Sequence, residues 1–261
     1  MPRLLALAYG AVCYTVFLLT FLYAIGFVAG MGVPKHIDNG MSAPFALALA
    51  IDLALLGLFA VQHSGMARPG FKRWWTRIVP APIERSTYVL FSSLALVALF
   101  WFWRPLPQVL WSAEQEAARV ALQSLSALGW LMVLTGTFMI NHFDLFGLKQ
   151  VWQYSRGASG YDDPPFVTRA FYRIVRHPLM LGFLVAFWAT PTMTLGHLLF
   201  ALATTGYILI AVKLLEERDL VAALGDQYRD YQRRVPMIFP RPWRRGEDAA
   251  PTPLPEGRPP G

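Results

Sequence analysis

Cysteine is almost absent from this chain. Its 261 residues hold one, Cys13, so no internal disulfide can form, and a zinc site built on thiolates lacks its ligands. No metal is expected. Charge is scarce too: Asp, Glu, Lys and Arg make up 15% of the residues, against roughly 25% in soluble domains. With 55% hydrophobic residues and a mean hydropathy of +0.40, that excludes an ordinary water-soluble domain. No glycine-rich loop follows a strand pattern, which excludes the soluble plan for nucleotide cofactors. Acidic residues are outnumbered by basic ones, 16 to 23. In a soluble protein such an excess points to nucleic acid. In an apolar chain it reads as topology, because Lys and Arg collect in cytoplasmic loops. No nucleic-acid partner is expected, no protein partner is evident, and the bilayer is the expected surrounding.

What the chain does have is long apolar runs. A membrane-spanning helix needs about 20 of them in a row, and the runs at 4–32, 44–62, 86–103 and 120–141 qualify. The first is too long for a signal-peptide core and lacks a small-residue cleavage pattern, so it reads as a retained helix. A fifth stretch, 178–215, is too long for one span and is interrupted by Thr190-Pro191-Thr192. Proline removes a backbone donor and clashes with the preceding turn, so the stretch reads as a helical hairpin, 178–191 and 195–215. The expected fold is an all-α integral membrane protein of five to six transmembrane segments with a C-terminal helical hairpin. Beyond it, Leu224, Tyr228, Tyr231 and Val235 share one helix face and predict a short cytoplasmic interfacial helix. From 243 the chain is rich in Pro, Gly and Ala and reads as a disordered tail, 243–261.

An even number of crossings puts both termini on one side. Of the 23 Lys and Arg residues, 20 fall on that side and three, Lys35, Arg104 and Arg119, on the other. The asymmetry predicts that both termini face the cytoplasm.

Polar residues cluster at the predicted cytoplasmic helix ends. Arg176-His177-Pro178 opens a span; proline suits a first helical position, and the free N–H groups there suit a carboxylate. The plain reading is a helix-start signal. Lys213, Glu216 and Glu217 close the last span. Adjacent carboxylates at a membrane surface are costly unless paired, although a solvated helix end gives the same pattern. Gln62-His63-Ser64 closes the second span and Asn141-His142-Phe143-Asp144 the fourth. Each histidine alone reads as a satisfied polar group; together they suggest one cavity with His63 and His142 facing each other. Asp52 lies mid-span, where an acid serves either function or a structural hydrogen bond. A haem-bearing electron carrier would use His63 and His142 as axial ligands.

Taken in order, Arg176-His177-Pro178, Glu216-Glu217, Gly225-x-x-Tyr228-x-x-Tyr231 and Arg234-Val235-Pro236 resemble the isoprenylcysteine carboxyl methyltransferase superfamily over about 150–240. Val61-Gln62-His63-Ser64, the run from Pro82 to Tyr88 and the run from Asn141 to Gln150 are similar to its bacterial branch that methylates small thiols, turning methanethiol into dimethyl sulfide. The resemblance implies S-adenosylmethionine as cofactor, contacted by Gln150, Pro165, Phe166, Val167, Tyr172, Arg176, His177, Pro178, Leu179, Met180, Glu217, Tyr228 and Tyr231. It implies a substrate side formed by Gln62, Asp144 and Lys213, with His63, His142 and Asn141 as catalytic candidates. Met180 stands where the superfamily has a tyrosine. Lys213 stands where it has an arginine that reads a prenyl carboxylate, and lysine is not an equivalent donor. The implied division is 1–145 for the thiol pocket, 146–242 for the cofactor half and 243–261 for the tail. A methyltransferase for a lipid or prenyl carboxylate, and a non-enzymatic relative serving nitrogen-oxide metabolism, are the other readings.

Overall fold

Inside a bilayer no water meets a backbone N–H or C=O, so an apolar run must satisfy its own backbone, and a helix does so. A computed structural model of the chain describes residues 1–157 and 170–240. In chain order, α1 (Arg3–Ala29) and α2 (Phe45–Met66) are followed by the short α3 (Pro69–Trp75), by α4 (Ala81–Phe102) and by strand β1 (Val109–Ser112). Then come α5 (Glu116–Ile140), two short helices α6 (His142–Leu145) and α7 (Leu148–Ser155), and a 3₁₀ turn, Ala170–Arg173. The hairpin is α8 (Pro178–Trp188), strand β2 (Thr192–Thr194) and α9 (Leu195–Ala211). α9 runs through a π-helical turn, Val212–Glu216, into α10 (Glu217–Leu224), and α11 (Asp226–Arg234) follows. Among the described residues five helices are long and apolar enough to cross a membrane: α1, α2, α4, α5 and the rod Leu195–Leu224. The four runs and the hairpin read from the sequence are therefore present, with ends displaced by a few residues.

The helix ends have local causes. Pro44 and Pro80 sit just before α2 and α4, and Pro178 opens α8; there the missing N–H would have had no partner anyway. α1 stops at Gly30, whose φ of 69° is the left-handed conformation and whose N–H reaches Gly26 O. Thr194 caps α9 by accepting from the His197 N–H.

α8 has 11 residues, about 16.5 Å of helix, roughly half of a bilayer core. The chain completes the passage through 189–194 in extended form. β2 pairs antiparallel with β1, Val109 opposite Thr194 and Ser112 opposite Thr192. On either side Ala113 N donates to Pro191 O, Leu195 N to Gln108 O and Gly196 N to Leu106 O. Non-helical backbone is thus paired against protein. α8 lies directly on α5. A Cβ on Gly129 would stand 2.6 Å from Ala186 N, and one on Gly182 would stand 2.8 Å from Gly129 O. Small residues allow this approach of two backbones. Phe27, Leu99, Trp103, Trp130, Phe187 and Phe200 form the core at the other end of the bundle.

α11 stands where the 4-3-4 spacing predicted a helix, but the Tyr228 and Tyr231 face is buried against protein rather than turned to a lipid surface. The tail 243–261 lies outside the described residues.

Candidate active site

The motif pieces of the C-terminal half meet at one point, the Glu217 carboxylate. Arg176 donates to it twice, Nε to Oε1 and Nη2 to Oε2, each at 2.9 Å. His177 Nε2 lies 2.6 Å from Oε1, Tyr228 Oη donates to Oε1 at 2.8 Å, and Gln232 Nε2 donates to Oε2 at 2.5 Å. A carboxylate accepts at about four lone-pair positions, so five donors saturate it. In this arrangement Glu217 fixes its neighbours and has no free position for a ligand. The same arginine holds the end of α11: its Nη1 donates to Gln232 O at 3.0 Å and Val235 O at 2.5 Å. The backbone closes the knot, with Arg176 N donating to Pro236 O and His177 N to Met237 O. Tyr231 Oη donates to Tyr172 O at 2.5 Å.

His177 is the residue just before α8 and is 5% exposed. Burial alone would lower its pKa, but Glu216 and Glu217 outweigh it and raise it to about 9. The imidazolium is then part of the knot. Burial and Glu217 push the Tyr228 phenol up, and burial pushes Tyr231 up to about 12. Both therefore stay protonated and donating. The outcome is a rigidly held start of α8, where Leu179 and Met180 lead with N–H groups that lack intrahelical acceptors.

The second assembly surrounds His142, which is buried. Thr137 Oγ1 lies 2.8 Å from Nδ1 and Tyr14 Oη 2.8 Å from Nε2. The ring stacks on Phe138 at 4.2 Å and meets Phe143 and Phe146 edge-on. Burial lowers its pKa and keeps it neutral. Among the described residues Asn141, expected to orient this ring, bonds through its backbone: its carbonyl accepts from Asp144 N and Leu145 N. Thr137 and Tyr14 do the orienting. Asp144 and Gln150 are brought together, Gln150 Nε2 donating to Asp144 Oδ1 at 2.8 Å, with Lys149 3.4 Å from Oδ2. Gln150 Oε1 is buried without a hydrogen-bond partner among the described residues, and so is Gln62 Oε1.

His63 stands in a third assembly. Ser92 Oγ lies 3.2 Å from its Nδ1, Tyr88 Oη lies 3.0 and 3.1 Å from its two ring nitrogens, and Phe59 stacks on it. The two histidines share a depth. Tyr9 of α1 bonds Thr87 of α4. From that contact Tyr14 and Ser92 each lie five residues further along, about 7.5 Å of rise. Among the described residues they share no hydrogen-bond partner: Thr137 and Tyr14 hold His142, and Ser92 and Tyr88 hold His63. Arg85 connects the two regions. It lies over the Tyr88 ring and donates from Nε to Leu145 O at 2.9 Å.

The three assemblies occupy one end of the bundle. Leu179 Cβ would lie 3.5 Å from a Cβ on Gly136, next to Thr137. Ser64 bonds Tyr207 at 3.0 Å, and Arg68 pairs with Asp219 at 3.0 Å. Lys213 lines an open cleft of about 790 Å³ with Arg176, Glu217, Arg218, Arg229, Gln232 and Met237. Pro165, Phe166 and Val167 lie outside the described residues. The sequence reading missed Gln232, Tyr14, Thr137 and Ser92, and it gave no role to Arg85 and Tyr88 although both lie in the run from Pro82 to Tyr88 that carried the resemblance. Gln232 carried a usable signal, four residues after Tyr228 on a helix. Tyr14 carried none, because its partner is 128 residues away.

Fold and site together define a multi-pass α-helical membrane protein in which His142, Asp144, His177 and Glu217 are buried at one end of the bundle, while Asp52 and His197 are buried toward the other. The chain belongs to the NnrU protein family, whose family model matches residues 52–238. It is 60% identical over 94% of its length to methanethiol S-methyltransferase of Mycobacterium tuberculosis, 99% of which is covered. It is 55% identical over 93% of its length to methanethiol S-methyltransferase 1 of Bradyrhizobium diazoefficiens, 84% of which is covered. Nurim of Sus scrofa is 36% identical over 66% of the chain and 68% of its own length. No solved structure matches the chain.

Proposed function

We propose that this protein methylates methanethiol to dimethyl sulfide with S-adenosylmethionine, at the cytoplasmic face of a bacterial inner membrane. The observation that carries the reading is the convergence of the superfamily-like motif residues on Glu217, in a chain that aligns across nearly all of a relative bearing that enzyme's name. The cofactor fits the groups present. Gln150 Oε1 is a buried acceptor without a donor among the described residues, suited to an ammonium or an amine. The start of α8 offers N–H groups to a carboxylate.

S-adenosylmethionine, when bound, supplies an already activated methyl group. The chain's residues have three tasks. Gln150, Tyr172 and the segment from His177 to Met180 form the cofactor face, with Pro165, Phe166 and Val167 assigned to it by resemblance. Arg176, Glu217, Tyr228 and Tyr231 hold that face in place. Gln62, Asn141, Asp144 and Lys213 border the thiol side, and His63 or His142 takes the thiol proton, because the thiolate is the nucleophile. Alignment of sulfur with the methyl group and exclusion of water provide the rest of the rate.

The test is headspace gas chromatography of membranes carrying the protein, fed methanethiol and methyl-deuterated S-adenosylmethionine. Dimethyl sulfide bearing one deuterated methyl group is expected. Label release no greater than from membranes without the protein would overturn the assignment.

A further inference from the structure

We propose that Tyr14 is the residue that takes the proton from the thiol, with His142 as the base behind it. The inference rests on the thiol-methylation reading and deepens it by naming the proton path.

The hydrogen-bond network fixes the direction of that path. Thr137 has one hydroxyl proton, and it goes to Leu134 O at 2.6 Å. Towards His142 Nδ1, 2.8 Å away, the Thr137 oxygen is therefore an acceptor, and Nδ1 carries the ring proton. Nε2 is left with its lone pair, and Tyr14 Oη, 2.8 Å away, donates to it. His142 thus has its basic nitrogen covered by a phenol and cannot meet a thiol directly. Tyr14 has its proton committed inward, and its oxygen accepts no hydrogen bond among the described residues.

The surroundings suit a small apolar thiol. Phe17, Phe143 and Phe146 lie 6.0 to 6.5 Å from the Tyr14 ring, centroid to centroid, and Phe17 stacks on Phe146 at 3.7 Å. The wiring is also next to the proposed cofactor face: Gly136, the neighbour of Thr137, stands against Leu179 at the start of α8. His63 lacks an equivalent. The Tyr88 hydroxyl is shared between its two nitrogens, so no single lone pair is directed at a relay.

The step balances without a further reactant. The S–H bond breaks and its proton bonds to Tyr14 Oη. The phenolic proton moves to His142 Nε2, giving an imidazolium held between Thr137 and Tyr14. The sulfur keeps the electron pair it needs for methylation. His142 afterwards returns the proton to solvent through Tyr14.

Two measurements test this. In protein labelled with ¹⁵N-histidine, His142 should show a protonated Nδ1 and a hydrogen-bonded, unprotonated Nε2, and Tyr14→Phe should shift only the Nε2 signal. This readout does not depend on turnover. The second compares methanethiol with methaneselenol, a nucleophile of the same shape that is already ionised at neutral pH. Tyr14→Phe keeps the ring contacts and should cost roughly 10²-fold with methanethiol, the lower end for general acid–base catalysis, while leaving methaneselenol turnover unchanged. Thr137→Val, a change at a positioning residue, should show the same selectivity if Tyr14→Phe does not fold. An Nε2–H tautomer overturns the relay. So does equal loss of both substrates, or retention of methanethiol turnover. Wild-type protein that methylates neither substrate defeats the function reading and the relay with it, while the histidine spectrum still reports whether the wiring exists.

Discussion

Glu217 concentrates the charge of the C-terminal half into one carboxylate, and its neighbours are arranged to keep it ionised. Removing one partner of such a buried pair costs about 3–5 kcal/mol, because the other charge is left uncompensated. His177 adds a dependence on pH. Its folded pKa is raised to about 9, above an unfolded value of about 6.5. Its contribution to stability is therefore complete below about 6.5 and is lost as pH rises through 9. The melting temperature of the detergent-purified protein should fall between pH 7 and 9.5, and His177→Gln should flatten that fall while lowering the melting temperature at pH 7. A wild-type melting temperature that stays constant across that range would show His177 to be neutral in the knot. At this scale the sequence was informative where motifs abut a helix start, as at Arg176 and His177. It was silent where the partner is a lone hydroxyl on a distant helix, as with Tyr14 and His142. A tyrosine in an apolar run has the same local appearance whether it faces lipid or a histidine.

Among elements, the legible features were those with a period or a length. Hydropathy located α1, α2, α4, α5 and the hairpin, because each must bury about 20 residues in lipid. Two features had no such signal. β1 and β2 are strands of four and three residues, too short to show alternation, and what forms them is their pairing. The π turn Val212–Glu216 has no composition of its own, yet it ends in Glu216, 3.5 Å from His177, and leads directly into Glu217, 2.6 Å from it. Insertions of this kind occur often at functional sites. The α5–α8 crossing gives an element-scale prediction. Gly129→Ala places a methyl 2.6 Å from a backbone nitrogen, and neither helix can yield without moving the start of α8. We expect destabilisation of about 1–3 kcal/mol, the range for overpacking, read as a lower melting temperature and weaker retention of methyl donor. Gly57→Ala and Gly206→Ala serve as controls: a Cβ at either position meets nothing within 4 Å, and alanine is the better helix former. Equal melting temperatures for Gly129→Ala and the two controls would refute the close-crossing argument.

For the whole molecule, the pairing of β1 with β2 decides the number of crossings. α8 alone is too short to cross, and a helix that turned back would leave Thr192 on the side of Arg176. Instead Thr192 is paired with Ser112, beyond the far end of α4, while Arg176 is bonded to Glu217 and Val235. The segment from 178 to 194 therefore completes a passage, which with the five span-length helices makes six among the described residues. The chain starts and the described part ends on one side: Tyr154 Oη donates to Met1 O beside α7, and Pro236 accepts from Arg176 N. The geometry says which parts share a side; the charge asymmetry says which side it is. Of the 18 Lys and Arg among the described residues, 15 lie on the side of the termini, so that side is expected to be cytoplasmic. Fusions of a cytoplasm-active fluorescent reporter to the C-terminus, and insertions in 63–80 and 157–169, should be fluorescent. An alkaline phosphatase reporter inserted at 105–108 should be active, because that stretch precedes β1 on the opposite side. Phosphatase activity at the C-terminus together with fluorescence at 105–108 would invert the orientation and move the Glu217 knot, with Tyr14 and His142 at the same end, away from the cytoplasmic supply of methyl donor. Fluorescence at both sites would instead remove one crossing and contradict the β1–β2 pairing.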